Sequence, residues 1–282
     1  MIIVTGITGQ LGYDVAAELD QRGEKFIATS RDEINLSDEA SIKNFIRKNK
    51  PEAVIHCAAY TAVDKAESEA ELAITTNGLA TRYMAEICRE VGAKLLYPST
   101  DYVFGGDGRK PYEVDDEKNP CNVYGRSKLL GEDSVRAVVR EHFIVRISWV
   151  FGKNGKNFVK TMLNLADKNK KLRVVCDQIG SPTYTKDLAP LLVDMIHTEK
   201  YGVYHATNEG FCSWADFAKE IFRLAGKNVE VEEILTADYP TPAKRPFNSR
   251  LSKSSLDDAG FNRLPDWQDA LKRYLSELRI KD

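Results

Sequence analysis

Short apolar runs alternate with longer amphipathic segments along the first half of the chain. In the segment 38–50, Ile42, Phe45 and Ile46 recur at helical spacing, which predicts an amphipathic helix. Strands that alternate with helices pair in parallel, and short apolar strands suit a sheet covered on both faces. The pattern therefore predicts an α/β fold built on a Rossmann-type doubly wound parallel sheet. The predicted strands are the apolar runs at 2–6, 25–30, 53–59, 94–100 and 143–152.

The regular alternation ends near residue 152. The segment 202–208 predicts a strand that returns to the sheet, and 239–250 is a proline-rich loop. Ser213, Asp216 and Gly226 provide an N-cap, a capping box and a C-cap for one helix. Other helices are predicted over 157–168, 184–197 and 267–278. We predict a large N-terminal domain and a smaller C-terminal lobe. The domain comprises residues 1–152 and a returning segment near 184–207. The lobe comprises residues 153–183 and 208–282.

Composition argues against several classes of protein. The 282 residues include 40 basic and 42 acidic side chains and carry a formal charge of −2, which predicts no nucleic-acid partner. No apolar run approaches the ~18 residues that cross a bilayer, and a strand pattern from the first residue leaves no room for a signal peptide. The five cysteines form no CxxC pair, and the four histidines form no HExxH motif. We expect free thiols in a cytoplasmic protein that binds neither nucleic acid nor membrane.

The first chemical motif is "TGITGQLG", in which Gly6, Gly9 and Gly12 lie three residues apart between a strand and a helix. Without Cβ atoms the backbone can turn tightly and approach a pyrophosphate, which the first N–H groups of the helix can bind. A simple glycine-rich turn is the alternative, but the strand–helix context favours a dinucleotide. The N-terminal domain is therefore predicted to bind a dinucleotide, and the C-terminal lobe to bind the substrate.

The end of the second predicted strand, "ATSRDE", bears on the choice of cofactor. Arg31 and the hydroxyl of Ser30 suit the 2′-phosphate of NADPH, whereas Asp32 leaves NADH open through the ribose 2′-OH. Arg31 is equally consistent with a solvated loop residue. We predict NADPH as the cofactor, with NADH as the alternative.

The segment "NVYGRSK" places Tyr124 and Lys128 one helical turn apart. A surface pair is one interpretation, because residues four apart are neighbours on any helix. Beside a nicotinamide the pair has a chemical use, since the reduction of a ketone needs a proton that a tyrosine hydroxyl can donate. A neighbouring ammonium is expected to lower the tyrosine pKa and to hold the nicotinamide ribose. Ser99 and Thr100, at the end of the fourth predicted strand, are expected to polarise the carbonyl.

In this order, "TGITGQLG", "PSTDYVFGG" and "NVYGRSK" resemble the extended short-chain dehydrogenase/reductases. The segments "AAYTAVDKAESE", "ISWVFG", "DQIGSPTYTKDLA" and "AKRPFNSRLSKSSL" narrow this to a resemblance to the dTDP-4-dehydrorhamnose reductases over nearly the whole chain. The resemblance implies reduction of the C4 ketone of dTDP-4-dehydro-β-L-rhamnose by NADPH or NADH. The implied product is dTDP-L-rhamnose, used in nucleotide-sugar and cell-surface polysaccharide biosynthesis.

The resemblance also implies roles for individual residues. Thr100, Tyr124 and Lys128 correspond to the catalytic residues. Asn35 stands where the family usually has Asp, which leaves its adenine contact open. Together with the glycine motif, the predicted cofactor-binding positions are Gly6, Thr8, Gly9, Gln10, Leu11, Gly12, Ser30, Arg31, Asn35, Leu36, Ala58, Ala59, Tyr60, Thr61, Asn77, Ser99, Tyr124 and Lys128.

The predicted substrate-binding positions leave alternatives open. Trp149 could instead be a core aromatic residue, and Arg245 and Asn248 could be ordinary loop residues. As a binding residue, Arg245 would offer paired donors to the substrate diphosphate. The full set of predicted substrate-binding residues is Thr100, Asp101, Tyr102, Trp149, Arg245 and Asn248.

Some members of the family are dimers bridged by Mg²⁺, and the corresponding acidic positions here are Asp14, Asp187 and Glu277. Each is also an ordinary acid on a helix surface, so we predict no metal site, with these three residues as the candidates for Mg²⁺. A homodimer remains open. Two other functions also remain open: a nucleotide-sugar epimerase that recycles its own NAD, and a non-catalytic subunit resembling the regulatory subunit of methionine adenosyltransferase.

Overall fold

The computed structural model describes residues 1–279. Its strands are β1 (Ile2–Thr5), β2 (Phe26–Thr29), β3 (Ala53–His56), β4 (Lys94–Thr100), β5 (His142–Ile147), β6 (Val150–Phe151), β7 (Lys171–Val175), β8 (Ile179–Gly180), β9 (Thr183–Tyr184), β10 (Gly202–His205), β11 (Cys212–Ser213), β12 (Glu230–Ile234) and β13 (Asn248–Ser249). Its helices are α1 (Gln10–Gln21), α2 (Glu39–Asn49), α3 (Val63–Ala66), α4 (Ala70–Ile74), α5 (Ala80–Val91), α6 (Val123–Val138), α7 (Phe158–Ala166), α8 (Thr185–Ile196), α9 (Trp214–Ala225), α10 (Ser254–Asp258) and α11 (Trp267–Arg279).

Six parallel strands form the main sheet in the order β10-β5-β4-β3-β1-β2. This confirms the predicted α/β fold, including the strand that returns at β10. Because β1 lies between β2 and β3, the strand order reverses there. In open α/β sheets, ligands bind beside such a reversal, at the carboxyl ends of the strands.

Helices cover both faces of this sheet. On one face α1 and α8 bury Val15, Leu19 and Leu192 against the strands. On the other face α2, α5 and α6 contribute a second apolar layer that includes Ile42 and Met84. The strands therefore lie between two apolar layers, which explains their continuous apolar sequences.

A separate apolar core underlies the C-terminal part of the chain. It is built on α7, α9 and α11 and includes Phe151, Phe217 and Trp267. The predicted capping box of α9 is present, since Ser213 Oγ accepts from Asp216 N at 3.0 Å and the Asp216 carboxylate accepts from Ser213 N. No helix within residues 1–279 is long and apolar enough to cross a membrane. The domain boundaries proposed above stay a prediction.

The predicted strand 143–152 is interrupted at Trp149, whose φ of +50° separates β5 from β6. A left-handed conformation is unusual for a bulky residue and persists only where the surroundings hold it. The Trp149 ring stacks on Trp214 with centroids 3.7 Å apart. A Cβ added to Gly180 would lie 2.7 Å from the indole, so a residue without a side chain is required there.

Candidate active site

The glycine motif forms a close turn between β1 and α1. Gly6 has a φ of +74°, and a Cβ added there would lie 2.7 Å from the backbone of Ala58. A Cβ on Gly12 would lie 2.4 Å from the Gly6 carbonyl oxygen. Gly9 is the N-cap of α1 and, in the described structure, no N-cap side chain occupies the N–H groups of the first turn. This backbone fits the pyrophosphate of a dinucleotide.

Two asparagines from the C-terminal part of the chain hold this turn. Asn154 Nδ2 donates to the carbonyl oxygen of Thr8 at 2.9 Å, and Asn157 Nδ2 donates to Gln10 Oε1 at 3.0 Å. Leu11 is buried in the core beneath α1. The sequence did not identify the asparagines, because nothing local to them indicates contact with residues nearly 150 positions earlier.

In the loop after β2, the side chains predicted to bind a 2′-phosphate have other surroundings than expected. Arg31 is exposed and makes no hydrogen bond or ion pair within residues 1–279. Glu33, which the sequence did not single out, accepts from Ser30 N at 2.6 Å and from Ser30 Oγ at 2.7 Å. These hydrogen bonds lower the pKa of the Glu33 carboxyl. The side chain of Asp32, the predicted partner of a ribose 2′-OH, makes no hydrogen bond or ion pair within residues 1–279.

Asn35 and Leu36 follow in the same loop. Asn35 Oδ1 accepts from Ser37 N at 3.0 Å, which shapes the turn before α2, and Leu36 packs against the core beneath that helix. An adenine contact from this turn stays a prediction.

The segment after β3 is fixed by a buried asparagine. Asn77, in a π-helical turn between α4 and α5, accepts from Tyr60 N at 2.8 Å. Its Nδ2 donates to the Tyr60 carbonyl oxygen at 3.0 Å and to Ser127 Oγ at 2.9 Å. Asn77 thus links the segment containing Ala59, Tyr60 and Thr61 to α6. A cofactor contact from these residues stays a prediction.

The helix that carries Tyr124 and Lys128 begins at an asparagine cap beside β4. Asn122 Oδ1 accepts from Gly125 N at 2.8 Å. A Cβ on Gly125 would lie 2.2 Å from the carbonyl oxygen of Tyr102, so glycine allows α6 to approach the strand end. Tyr124 and Tyr102 meet edge to face with ring centroids 5.5 Å apart.

Lys128 is buried, with 3% of its surface exposed. Its Nζ donates to the carbonyl oxygen of Pro98 at 2.9 Å and lies 3.8 Å from the centroid of the Tyr97 ring. Burial lowers the pKa of Lys128 to about 7, although the carboxylate of Glu132 acts in the opposite direction. A solvated surface pair with Tyr124 is therefore excluded.

The expected direction of the Tyr124 pKa was wrong. In this structure, burial and the carboxylate of Asp101 raise the pKa of Tyr124, and hydrogen bonding with Thr100 offsets only part of the increase. The ammonium of Lys128 points instead to Pro98 and the Tyr97 ring. The Tyr124 hydroxyl consequently keeps its proton at neutral pH.

Two buried polar atoms lie without a partner at the carboxyl end of β4. Within residues 1–279, Ser99 Oγ and Asp101 Oδ2 make no hydrogen bond, whereas Asp101 Oδ1 accepts from Thr100 Oγ1 at 3.0 Å. Burial raises the pKa of Asp101 to about 6. Unpaired buried polar groups are costly, so these atoms are suited to pairing with a bound ligand.

The loop between β12 and β13 lies next to this strand end. Arg245 donates to the Tyr102 hydroxyl at 3.1 Å and forms an ion pair with Asp64 at 2.7 Å. Beside it is a cavity of about 320 Å³, lined by Thr236, Tyr239, Pro240, Thr241, Pro242, Ala243, Lys244, Arg245 and Phe247. Arg245 thus joins this cavity to the tyrosines of the site. Asp64 was not predicted, although it lies within the quoted segment 58–69.

The structure does not leave Asn248 free. It is 2% exposed, donates to the Lys110 carbonyl oxygen at 2.8 Å and accepts from Arg250 Nε at 2.8 Å. These bonds hold the side chain in the loop that carries it. Substrate binding by Asn248 stays a prediction.

The three candidate acids for Mg²⁺ are each bound to neighbouring side chains. Asp14 accepts from Thr185, and Glu277 accepts from Tyr184 and Lys186. Both oxygens of Asp187 accept from Arg273, at 2.6 and 2.7 Å. Within the described residues, no group of three or more histidine, cysteine or acidic side chains could hold a metal ion.

Comparison with known proteins is consistent with this geometry. The profile of the family described as "RmlD substrate binding domain" matches residues 1–280. The chain is 41% identical to the Bacillus subtilis spore coat polysaccharide biosynthesis protein SpsK over 98% of this chain and 97% of that protein. It is 41% identical to a Streptomyces griseus dTDP-4-dehydrorhamnose reductase, covering 95% of this chain and 91% of the relative. The structure of the Bacillus anthracis dTDP-4-dehydrorhamnose reductase in complex with NADP is 40% identical, has a TM-score of 0.95, and is matched over 98% of both chains.

Proposed function

This chain belongs to the RmlD family, and we propose that it reduces the C4 ketone of dTDP-4-dehydro-β-L-rhamnose to dTDP-L-rhamnose. The reductant is NADPH, with NADH as an alternative. The name of the Bacillus subtilis relative supports a place in polysaccharide biosynthesis. The observation that carries the proposal is the half-buried Tyr124 beside Thr100, at the carboxyl end of β4, with the buried Lys128 one helical turn away.

Each of the three residues has a step in the reaction. The cofactor supplies the hydride to the carbonyl carbon when it is bound. Tyr124, whose hydroxyl is protonated at neutral pH, donates its proton to the C4 oxygen. Thr100 hydrogen-bonds the same oxygen and orients the sugar. Lys128, whose pKa is about 7, would hold the cofactor ribose and would return a proton to Tyr124 after the reaction.

The nucleotide half of the substrate binds along the loop between β12 and β13. Arg245 offers N–H donors to the diphosphate, and the cavity beside it accepts the nucleoside. The unpaired carboxylate oxygen of Asp101 accepts from a sugar hydroxyl. A contact between Trp149 and the hexose stays a prediction, since the ring is packed against Trp214 and Gly180. These assignments rest on position and chemistry.

The decisive experiment incubates the purified chain with NADPH and dTDP-4-dehydro-β-L-rhamnose. We expect NADPH absorbance to fall in step with the formation of dTDP-L-rhamnose, and Tyr124→Phe to abolish most of this turnover. A chain that retains tightly bound NAD and interconverts UDP-hexoses without net oxidation would be an epimerase instead. Binding of nucleotides without turnover of any sugar would indicate the non-catalytic subunit.

Three further expectations belong to this proposal. The separate apolar core of α7, α9 and α11 supports a substrate-binding lobe distinct from the dinucleotide-binding domain. A homodimer is tested by sedimentation of the purified chain. Cytoplasmic localisation rests on the cysteine pattern and is tested by fractionation of the native cells.

A further inference from the structure

Gln10, the first residue of α1, carries its side chain at the edge of the glycine turn, where the segment 153–157 packs on it. A Cβ added to Gly155 would lie 3.5 Å from Gln10 Cγ. Asn154 Nδ2 donates to the carbonyl oxygen of Thr8, 146 positions earlier in the chain, at 2.9 Å. The surroundings of the Gln10 side chain are therefore set by a distant part of the sequence.

The direction of the Gln10 amide follows from the hydrogen bonds around Asn157. Asn157 Oδ1 accepts from Lys160 N at 3.0 Å, and a backbone N–H can only donate. Asn157 Nδ2 therefore faces the other way, where it donates to the Gly152 carbonyl oxygen at 2.9 Å and to Gln10 at 3.0 Å. The Gln10 atom that meets this donor must be the acceptor Oε1. Gln10 Nε2 is the remaining end of the amide, and it makes no hydrogen bond within residues 1–279.

We propose that Asn157 is a positioning residue for the cofactor: by engaging Gln10 Oε1, it turns Gln10 Nε2 toward the dinucleotide as a donor to a phosphate oxygen. This inference rests on the proposed function, in which the glycine turn holds a pyrophosphate. An amide in the opposite orientation would present an oxygen atom to the phosphates, and an acceptor that faces an anion is repelled by it. Because hydrogen bonds to charged groups are stronger than neutral ones, the direction of this amide affects cofactor affinity.

The structure holds the Asn157 side chain in one orientation. Asn157 caps α7, and its Nδ2 lies 3.0 Å from the hydroxyl of Tyr274, which is fully buried and donates to the Gly152 carbonyl oxygen at 2.9 Å. A reversed side chain would place its oxygen against the Gly152 oxygen and would leave the Lys160 N–H without its acceptor. Among the described residues the Gln10 amide hydrogen-bonds only with Asn157, so its direction depends on that contact.

Serine substitutions separate this role from the capping of α7. Serine is a favoured N-cap residue, so Asn157→Ser keeps an acceptor for Lys160 N while it removes the donor to Gln10. Asn169→Ser is the matched control, because Asn169 is exposed and its Nδ2 donates to the Leu165 carbonyl oxygen at 2.9 Å, away from the turn. Gln10→Ala removes the amide through which Asn157 acts.

The test measures the binding of NADP⁺ and of adenosine 2′-monophosphate by calorimetry, since only NADP⁺ carries the pyrophosphate. For Asn157→Ser we expect the dissociation constant of NADP⁺ to rise roughly tenfold, because the donor to the phosphate is no longer oriented. The affinity for the monophosphate should stay unchanged. In steady-state kinetics KM for NADPH should rise by the same factor, with KM for the sugar unchanged. Asn169→Ser should alter neither affinity.

A double-mutant cycle decides whether Asn157 acts through Gln10. Gln10→Ala should itself weaken NADP⁺ binding, and in that background Asn157→Ser should change the affinity by less than about twofold. The inference is overturned if Asn157→Ser leaves NADP⁺ affinity unchanged, if it weakens both probes equally, or if its full effect persists in the Gln10→Ala background. A parent chain that binds neither probe would instead contradict the dinucleotide site itself, and with it the proposed function.

Discussion

Replacing Lys128 by methionine should make the protein more stable while it removes activity. The Lys128 ammonium is buried, and its pKa falls from 10.5 to about 7 in the folded chain. Each pKa unit corresponds to about 1.4 kcal/mol, so keeping this amine in the fold costs about 5 kcal/mol when the unfolded chain is protonated. Methionine has a similar length and no charge to bury.

Part of the expected gain in the free energy of unfolding is offset, because the substitution also removes two favourable contacts of the Lys128 amine. The hydrogen bond to the Pro98 carbonyl oxygen contributes about 1 kcal/mol, and the contact with the Tyr97 ring contributes about 1 to 2 kcal/mol. We therefore expect Lys128→Met to raise the free energy of unfolding by about 2 kcal/mol at pH 7. A stability gain from removing a functional side chain is the trade-off expected at active sites.

The pH dependence identifies the cause. Because the folded pKa of Lys128 lies below its unfolded value, the unfolded chain binds more protons between about pH 7 and 10.5. The parent chain thus gains stability from this group as the pH rises through that window, and the advantage of Lys128→Met should shrink. Urea unfolding of both proteins at pH 7 and pH 10 measures the difference directly.

Arg126→Met serves as the control, since Arg126 lies on the same helix and is exposed. Its effect on unfolding should stay within about 0.5 kcal/mol at both pH values. The reasoning is refuted if Lys128→Met is less stable than the parent at pH 7. It is equally refuted if the variant is more stable by the same amount at both pH values.

Three further outcomes follow from the site. Tyr124→Phe should lower kcat by about 10² to 10⁴-fold without changing the NADPH dissociation constant, as measured by fluorescence titration, because the ring remains while the proton donor is lost. Arg245→Ala should raise KM for the dTDP-sugar at least about tenfold in steady-state kinetics and leave KM for NADPH unchanged, since the guanidinium is assigned to the diphosphate. Gly12→Ala should weaken NADPH binding and lower Tm, because its Cβ would lie 2.4 Å from the Gly6 carbonyl oxygen; normal cofactor affinity in this variant would contradict the assigned turn.

The parts of the fold that the sequence predicted are those specified by neighbouring residues. The apolar run 94–100 coincides with β4, and the α9 helix begins and ends at its predicted caps, Ser213 and Gly226. Apolar periodicity and capping signals extend over a few residues, so they can be read without knowledge of the fold. The interruption at Trp149 was not readable in this way, because it depends on Trp214 and Gly180.

The same distinction holds for the site. The glycine motif and the Tyr124–Lys128 spacing are local, and the sequence identified both. Glu33 was overlooked although it lies in the quoted segment, because carboxylates are common in solvated loops and its bond to Ser30 depends on the path of the turn. Asp64 and Arg245 are 181 positions apart in the sequence, and nothing in either segment indicates their ion pair.

The chemistry of Lys128 also depends on the ion pair between Glu132 and Arg146, which the spacing of residues in the sequence does not reveal. Tyr124, Lys128 and Glu132 lie on one face of α6, and a buried lysine four residues from a glutamate would ordinarily pair with it. Here both oxygens of Glu132 accept from Arg146 on β5, at 2.9 and 2.7 Å, and both side chains of that pair are fully buried. Because Arg146 occupies the carboxylate, the Lys128 amine is directed to Pro98 and the strand end instead. The arginine thus leaves the Lys128 amine free to reach β4, at whose carboxyl end the proposed reaction takes place.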